Sequence, residues 1–278
     1  MARNISPQAV VDSRAILAED VMVGPFCVIG PHVQIGAGTR LANNVTVIGH
    51  TSIGEHNQIF PNAVIGGEPQ DLSYKGDPTR VEIGHHNVIR EGVTINRATT
   101  KENCLTRVGS HNYFMANSHV AHDCILGDHV ILANGVLLGG HTHVHNSAII
   151  SGNVGVHHWV TVGASTFVGG LSRIVHDVPP FLIAEGHPSI IRCVNLVGLK
   201  RQGFTSAEIA GLSEAHRLIY RAKMGLEHAR EILASHEHLN HHVESLLAFL
   251  ELQRKGSHGR QRDGGRKHAP PADQPKAA

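Results

Sequence analysis

Three side chains in one short stretch can do chemistry together: His119, His122 and Asp123, within His119-Val120-Ala121-His122-Asp123-Cys124. A histidine followed directly by a carboxylate can serve as a general base near neutral pH, because the carboxylate fixes the ring's tautomer. Two histidines three residues apart can instead hold a metal. A third reading is structural. The chain has 24 histidines, and most of them recur between apolar positions as turn residues do. Adjacent residues of an extended strand face opposite ways. The His122–Asp123 pair therefore needs a bend.

The surrounding sequence supplies one. An aliphatic residue recurs every six positions through Ile5, Val11, Leu17, Val23, Ile29, Ile35, Leu41, Val47, Ile53, Ile59 and Ile65. The position four further on is small or slim, as at Val21, Cys27, Val33, Thr39, Val45 and Asn57. A period of six is neither helical nor a sustained strand alternation. It fits one short strand and one turn, repeated. Three such units close a triangular coil of about 18 residues, and stacked coils make a parallel β-helix. The aliphatic residue points into the prism, and Gly or Asn at the corners suits positive φ.

The register breaks after Ile65, where residues 66–80 read as a loop leaving the prism. It resumes at Ile83, Ile89 and Ile95, breaks again over 99–107, and then runs from Val108 to Ile174. Val178-Pro179-Pro180 ends the coils, so residues 1–180 form the β-helix domain. Residues 181–255 read as a helical cap, which the open end of a solenoid requires. Thr205-Ser206-Ala207-Glu208 is a capping box that opens an amphipathic helix. Further helices are expected over 226–234 and 241–252. From Gly256 to Ala278 the chain is rich in Gly, Pro, Arg, Lys and His, and is expected to be disordered.

A coil of about 18 residues stacks position 140 above 122 and position 158 above that. Gly140-His141 and His157-His158 thus line up with His122 along one edge. Stacked imidazoles could also hold a zinc with an open position, as in a hydratase of the carbonic-anhydrase kind. His85-His86, His111, His129, His143 and His145 read as turn residues. The cluster His236, His238, His241 and His242 reads as a polar helix face, with metal binding as its alternative. A single prism has flat faces and no deep pocket, so a closed trimer is expected to create clefts between prisms.

A net charge of +1 gives no global signature of nucleic-acid binding. Cys27, Cys104, Cys124 and Cys193 have no C-x-x-C spacing, which fits a reducing cytoplasm. The N-terminus lacks the apolar run of a signal peptide, and no stretch approaches the ~20 apolar residues of a membrane span. With aromatics at 4 %, the core must be filled by aliphatic residues.

Several segments together resemble one family. They are Gly24-Pro25-Phe26, Ile29-Gly30-Pro31-His32-Val33, Gln70-Asp71-Leu72-x-Tyr74, Pro78-Thr79-Arg80-Val81-Glu82-Ile83-Gly84, Ala121-His122-Asp123-Cys124, Ile131-Leu132-Ala133-Asn134, Asp177-Val178-Pro179-Pro180 and Val194-Asn195-Leu196-x-Gly198-Leu199-Lys200-Arg201. In this order they are similar to the acyl-[acyl-carrier-protein]:UDP-N-acetylglucosamine O-acyltransferases of lipid A biosynthesis, over roughly residues 5–250. The resemblance implies a mainly β, left-handed parallel β-helix with a C-terminal α-helical domain. It implies a cytoplasmic homotrimer with active sites between subunits. The expected reaction moves a (3R)-3-hydroxyacyl group from acyl carrier protein to the glucosamine 3-hydroxyl of UDP-N-acetylglucosamine, without metal, cofactor or covalent intermediate.

By resemblance, His122 is the general base, Asp123 orients it, and the Gly140 N–H supports the oxyanion. Gln70 and Asp71 match contacts to the sugar or the acyl hydroxyl, and His141 and His157 match sugar-nucleotide and acyl contacts. Asn195 and Arg201 match groups near the nucleotide and the carrier protein. Gly170 matches a position where a large side chain shortens the acyl groove. The sequence departs from the family at Ser73 (often lysine), Asn96 (often histidine), His158 (often glutamine), Val197 and Gln202. A 3-amino sugar nucleotide, giving an amide, is the alternative acceptor, and its amine would need the same base.

Overall fold

The computed structural model describes residues 4–256 and 259–262. Short strands follow one another around three faces. The first face runs from Asn4–Ile5 to Leu182–Gly186 and Ser189–Val194, the second from Val10–Val11 to Arg173–Ile174, and the third from Ile16–Leu17 to Thr161–Val162. As far as Arg173–Ile174, successive strands lie on successive faces and neighbours within a face are parallel; the closing pair, Leu182–Gly186 and Ser189–Val194, is antiparallel. Met22 pairs with Arg40, Arg40 with Gln58, and His119 with Leu137, each one coil apart. The coil is the left-handed one of hexapeptide repeats.

The inward positions are the sixth-residue aliphatics. Val23, Ile29, Ile65, Val120, Leu138 and Ile174 are among those buried. Burial of each such side chain contributes about 1.5–3 kcal/mol. The slim position holds a polar ladder where it is not aliphatic. Asn87 Nδ2 donates to Asn57 Oδ1 at 2.9 Å, and the Val130 N–H donates to Asn112 Oδ1 at 2.6 Å. These bonds occupy the side-chain oxygens of Asn57 and Asn112, which would otherwise be stranded in the core.

The corners turn through the left-handed region. Asn44, Asn62, Asn117 and Asn153 do so as expected, but so do His56, His86, His111, His129, His141 and Asp123. Five of the 24 histidines therefore take the corner conformation among the described residues. Both loops are absorbed without loss of register: Gln58 pairs with Val88 across the first, and Val88 with Tyr113 across the second. Strands reach into both predicted loops, because Val64–Gly67 and Arg80–Ile83 flank the first and Leu105–Val108 overlaps the end of the second.

A second core begins at Phe181 and Leu182 and includes Leu212, Leu218, Leu233 and Leu246, while regular strand continues to Val194 as an antiparallel hairpin. Four helices follow: α1 (Leu196–Arg201), α2 (Ser206–His216), α3 (Leu226–Ser235) and α4 (His241–Arg254). The capping box is formed as the sequence indicates, with Thr205 Oγ1 accepting from the Glu208 N–H and the Glu208 carboxylate accepting from the Thr205 N–H. A π-helical turn, Arg217–Arg221, extends α2. The sequence reading missed α1, which is short and contains Gly198.

The expectation of disorder from Gly256 on needs a correction. Gly259–Arg262 forms a 3-10 turn, and Arg262 is half-buried against the β-helix through bonds to Glu102, His143 and His141. An arginine that reaches a carboxylate and backbone carbonyls overrides a polar composition. The rest of that expectation, 257–258 and 263–278, lies outside the described residues. No helix among the described residues is long and apolar enough to cross a membrane.

Candidate active site

Asp123 is itself a corner residue, with φ 59°. This bend answers the strand problem, because it swings the carboxylate beside the preceding imidazole. His122 Nδ1 lies 2.8 Å from Asp123 Oδ2. The same oxygen accepts from the Thr99 N–H at 3.0 Å and the Thr99 hydroxyl at 2.7 Å. The Asp123 N–H donates to Thr106 Oγ1 at 2.8 Å. With Oδ2 acting as acceptor for Thr99, Nδ1 of His122 carries the proton and Nε2 is left to accept one. That is the tautomer a base requires.

Gly140 stacks above His122, as the repeat predicts. A Cβ built on Gly140 would collide with the His122 ring. Glycine here is a condition of the imidazole's position. The Gly140 N–H donates to no group among the described residues, and it stands at the same corner as the His122 imidazole.

His141 follows at the next corner position and is buried, 3 % exposed. Its Nδ1 meets Glu102 Oε2 at 2.9 Å, and its ring lies flat on Trp159, 3.9 Å between centroids. Its Nε2 is 3.7 Å from Asp123 Oδ2. In this chain His141 therefore sits behind the His122–Asp123 pair, enclosed by Glu102 and Trp159. Thr99, Glu102 and Trp159 were not anticipated. The break in the repeat over 99–107, next to the histidine motif, was the available signal.

An open cleft of about 660 Å³ lies in front of His122. It is lined by Gln70, His119, Leu137, Gly140, His157 and Arg173 among others. His119 is tied to the Thr94 hydroxyl at 2.7 Å, and burial pushes its imidazole below the ordinary value, helped by His122. That is a wall residue rather than a second base.

Asp71 is paired with Lys101 of the second loop, and its other oxygen accepts from Ser73. The Lys101 ammonium, with the Ser73 N–H, holds the Asp71 carboxyl well below the usual range. Ser73 thus caps Asp71, and the cation beside it comes from Lys101. Asn96 Nδ2 and Arg97 pin the first loop through Glu68 and Gly66.

Three expected site residues lie away from this cleft. Asn195 is buried and caps α1, its amide donating to Ser165 O and accepting from the Gly198 N–H. Arg201 is exposed at the end of α1. Gly170 occupies a different corner, next to Gly152 and Ser151. Within one chain the geometry joins Gln70, His122, Asp123, Gly140 and His157, with His141 behind them.

The donor set also bears on the metal alternative. Ligand atoms of His122, Asp123 and His141 lie within 4.8 Å of one another. The Nδ1 atoms of both rings face carboxylates, which orients the imidazoles and leaves their Nε2 atoms as the ring atoms available to a proton or a metal. On α4, His241 and His242 approach Glu208 in the same way, but Glu208 is engaged in the capping box.

Residues 14–49 and 105–140 match the bacterial transferase hexapeptide repeats, and residues 177–258 match domain 2 of the UDP N-acetylglucosamine O-acyltransferases. A solved LpxA from Acinetobacter baumannii is 43 % identical, with 83 % of this chain and 90 % of that one covered at a TM-score of 0.80. LpxA of Bacteroides fragilis, a UDP-N-acetylglucosamine acyltransferase, is 36 % identical, with 89 % and 96 % covered at 0.85. The chain belongs to this acyltransferase family. The acyltransferase of Francisella novicida is also similar, 39 % identical with 89 % and 91 % covered at 0.84. The chain is therefore an acyltransferase.

Proposed function

We propose that this acyltransferase moves a (3R)-3-hydroxyacyl group from acyl carrier protein to the 3-hydroxyl of UDP-N-acetylglucosamine, opening lipid A biosynthesis in the cytoplasm. The observation that carries the reading is the His122 Nδ1–Asp123 Oδ2 bond at 2.8 Å, at the edge of an open cleft. Nε2 of His122 takes the proton of the sugar hydroxyl as its oxygen attacks the thioester carbonyl. The Gly140 N–H supports the developing oxyanion. As the tetrahedral centre collapses, the C–S bond breaks and the thiol leaves with the proton from Nε2. The base is thereby restored, and no cofactor takes part.

The active assembly is a homotrimer in this reading. Its support is the distance of Gly170, Asn195 and Arg201 from the His122 cleft in one chain: a neighbouring prism can close the cleft with its own copies of the last coils and the cap. Gln70, Asp71 and His157 contact the acceptor and the acyl chain. The test is a transfer assay with purified, tag-free protein, carrier-bound 3-hydroxyacyl chains of several lengths, and either UDP-N-acetylglucosamine or its 3-amino analogue. Transfer to the hydroxyl acceptor in the presence of a chelator is the expected result. Transfer to the amine alone replaces the acceptor. Stoichiometric zinc with no acyl transfer replaces the reaction.

A further inference from the structure

Beyond the dyad, one feature lies in a segment that neither the repeats nor the cap accounts for. Gly259–Arg262 returns from the end of the helical cap to the corner formed by His141 and Trp159. Gly259 is buried with φ 57°, and a Cβ there would collide with the Asp177 carboxylate. Arg262 Nη1 donates to Glu102 Oε1 at 3.2 Å and to His143 Nε2 at 2.8 Å. Nη2 donates to His141 O at 2.6 Å and to Trp159 O at 3.3 Å. The guanidinium also stands 5.3 Å from the Trp159 ring centroid.

These contacts continue into the dyad. Glu102 uses one oxygen for Arg262 and the other for His141 Nδ1. The Trp159 ring, under the guanidinium, is parallel to the His141 ring. His141 stands edge-on to His122, 5.2 Å between centroids, and its Nε2 faces Asp123. A single arginine thus fixes both surfaces that hold His141, the carboxylate on its edge and the indole on its face. A planar fork suits this role, because one head group reaches a carboxylate, an imidazole and two carbonyls at once.

We propose that the C-terminal segment completes the active-site corner, with Arg262 as a positioning residue that holds Glu102, Trp159 and His141 behind the His122–Asp123 base. The proposal rests on the acyl-transfer reading of that base. It places part of the catalytic support in a region whose composition reads as a mere tail.

Two readouts test it, both on the full chain. Trp159 is the only tryptophan, so intrinsic fluorescence reports this corner whatever the enzyme turns over. Arg262→Met is expected to red-shift the emission and raise quenching by iodide. In steady-state transfer, Arg262→Met is expected to lower kcat by about 10- to 100-fold with KM nearly unchanged, the signature of a misplaced catalytic group. Arg262→Lys keeps the charge but not the fork, and is expected to recover part of the loss.

The charged and titratable groups around this guanidinium are Glu102, Asp123, Cys124, His141, His143, His145 and Asp177. A cation disfavours protonation of nearby imidazoles. The acid limb of the kcat/KM profile is therefore expected to move to higher pH in Arg262→Met, a change that a merely structural role would not produce. Unchanged emission, or unchanged kcat and pH profile in a folded Arg262→Met, overturns the proposal. A tail-dependent emission in an enzyme that acylates no UDP-sugar overturns the positioning role together with the acyl-transfer reading, and leaves only a docked segment.

Discussion

Two corners of the prism carry histidines on the same backbone turn and come to different ends. On one, His56, His86, His111 and His129 have φ between 55° and 59° and stack ring on ring at 5.0 Å. On the other, Asp123, His141 and Trp159 hold φ of 59°, 63° and 69°. The residue before the turn separates them. His85, before His86, accepts the Glu55 N–H on its Nδ1 at 3.0 Å, so its proton sits on Nε2. His122, before Asp123, donates its Nδ1–H to a carboxylate and keeps Nε2 as acceptor. The left-handed turn is needed in both places. What sets the His122 corner apart is the buried carboxylate of Asp123, together with the loop that lays Thr99 on it and Glu102 on His141.

The sharpest way to break this contrast is to remove each imidazole in turn. His122→Ala is expected to lower the transfer rate by roughly 10²–10⁴-fold, the range of a lost general base, while His86→Ala leaves it within about twofold. Equal losses in the two variants, at unchanged circular dichroism, would place the chemistry elsewhere. Next in size is Gly140→Ala. Its methyl group must displace the His122 ring, and a loss near 100-fold in kcat is expected. Wild-type kcat in that variant would show that the glycine is not needed by the base.

Thr99→Val removes a hydroxyl from Asp123 Oδ2 and leaves the Thr99 N–H bond in place. One such bond to a charged group is worth about 1.5–3 kcal/mol, so a loss of at least about tenfold in kcat is expected. A change confined to KM would separate Asp123 from the step it is said to support.

The smallest effect concerns the fold. Burial pushes the imidazoles of His119, His145, His216 and His242 below their ordinary value. A folded-state value below the unfolded one means that the unfolded chain binds more protons as pH falls through about 6.5. Melting temperature is therefore expected to hold from pH 8 to 7 and to fall between pH 6.5 and 5. A melting temperature that rises on acidification would show that these rings are paired with carboxylates rather than desolvated.

The legible parts of the molecule were those with a period. The sixth-residue aliphatics are the buried inner layer, and the register survives both loops, so His122, Gly140 and His141 could be stacked on paper. The capping box at Thr205 was equally direct, because its two hydrogen bonds lie within four residues. Asn195 shows the opposite case. The resemblance places it by a nucleotide, but within one chain its amide is consumed between Ser165 O and the Gly198 N–H.

The sequence by itself determined the coil, the inward layer and the cap, since each is set by spacing that maps onto local geometry; spacing also stacked Gly140 and His141 over His122, while the family resemblance singled out the His122–Asp123 pair. Only the tertiary structure decided what surrounds that pair: Thr99 on Asp123, Lys101 on Asp71, Glu102 and Trp159 on His141, and Arg262 over both. Apart from the Trp159–His141 stack, which joins neighbouring coils, those contacts join segments from 24 to 160 residues apart, through loops and a chain end that follow no period. Their partners are chosen by hydrogen-bond geometry in three dimensions, and a linear pattern carries no record of it.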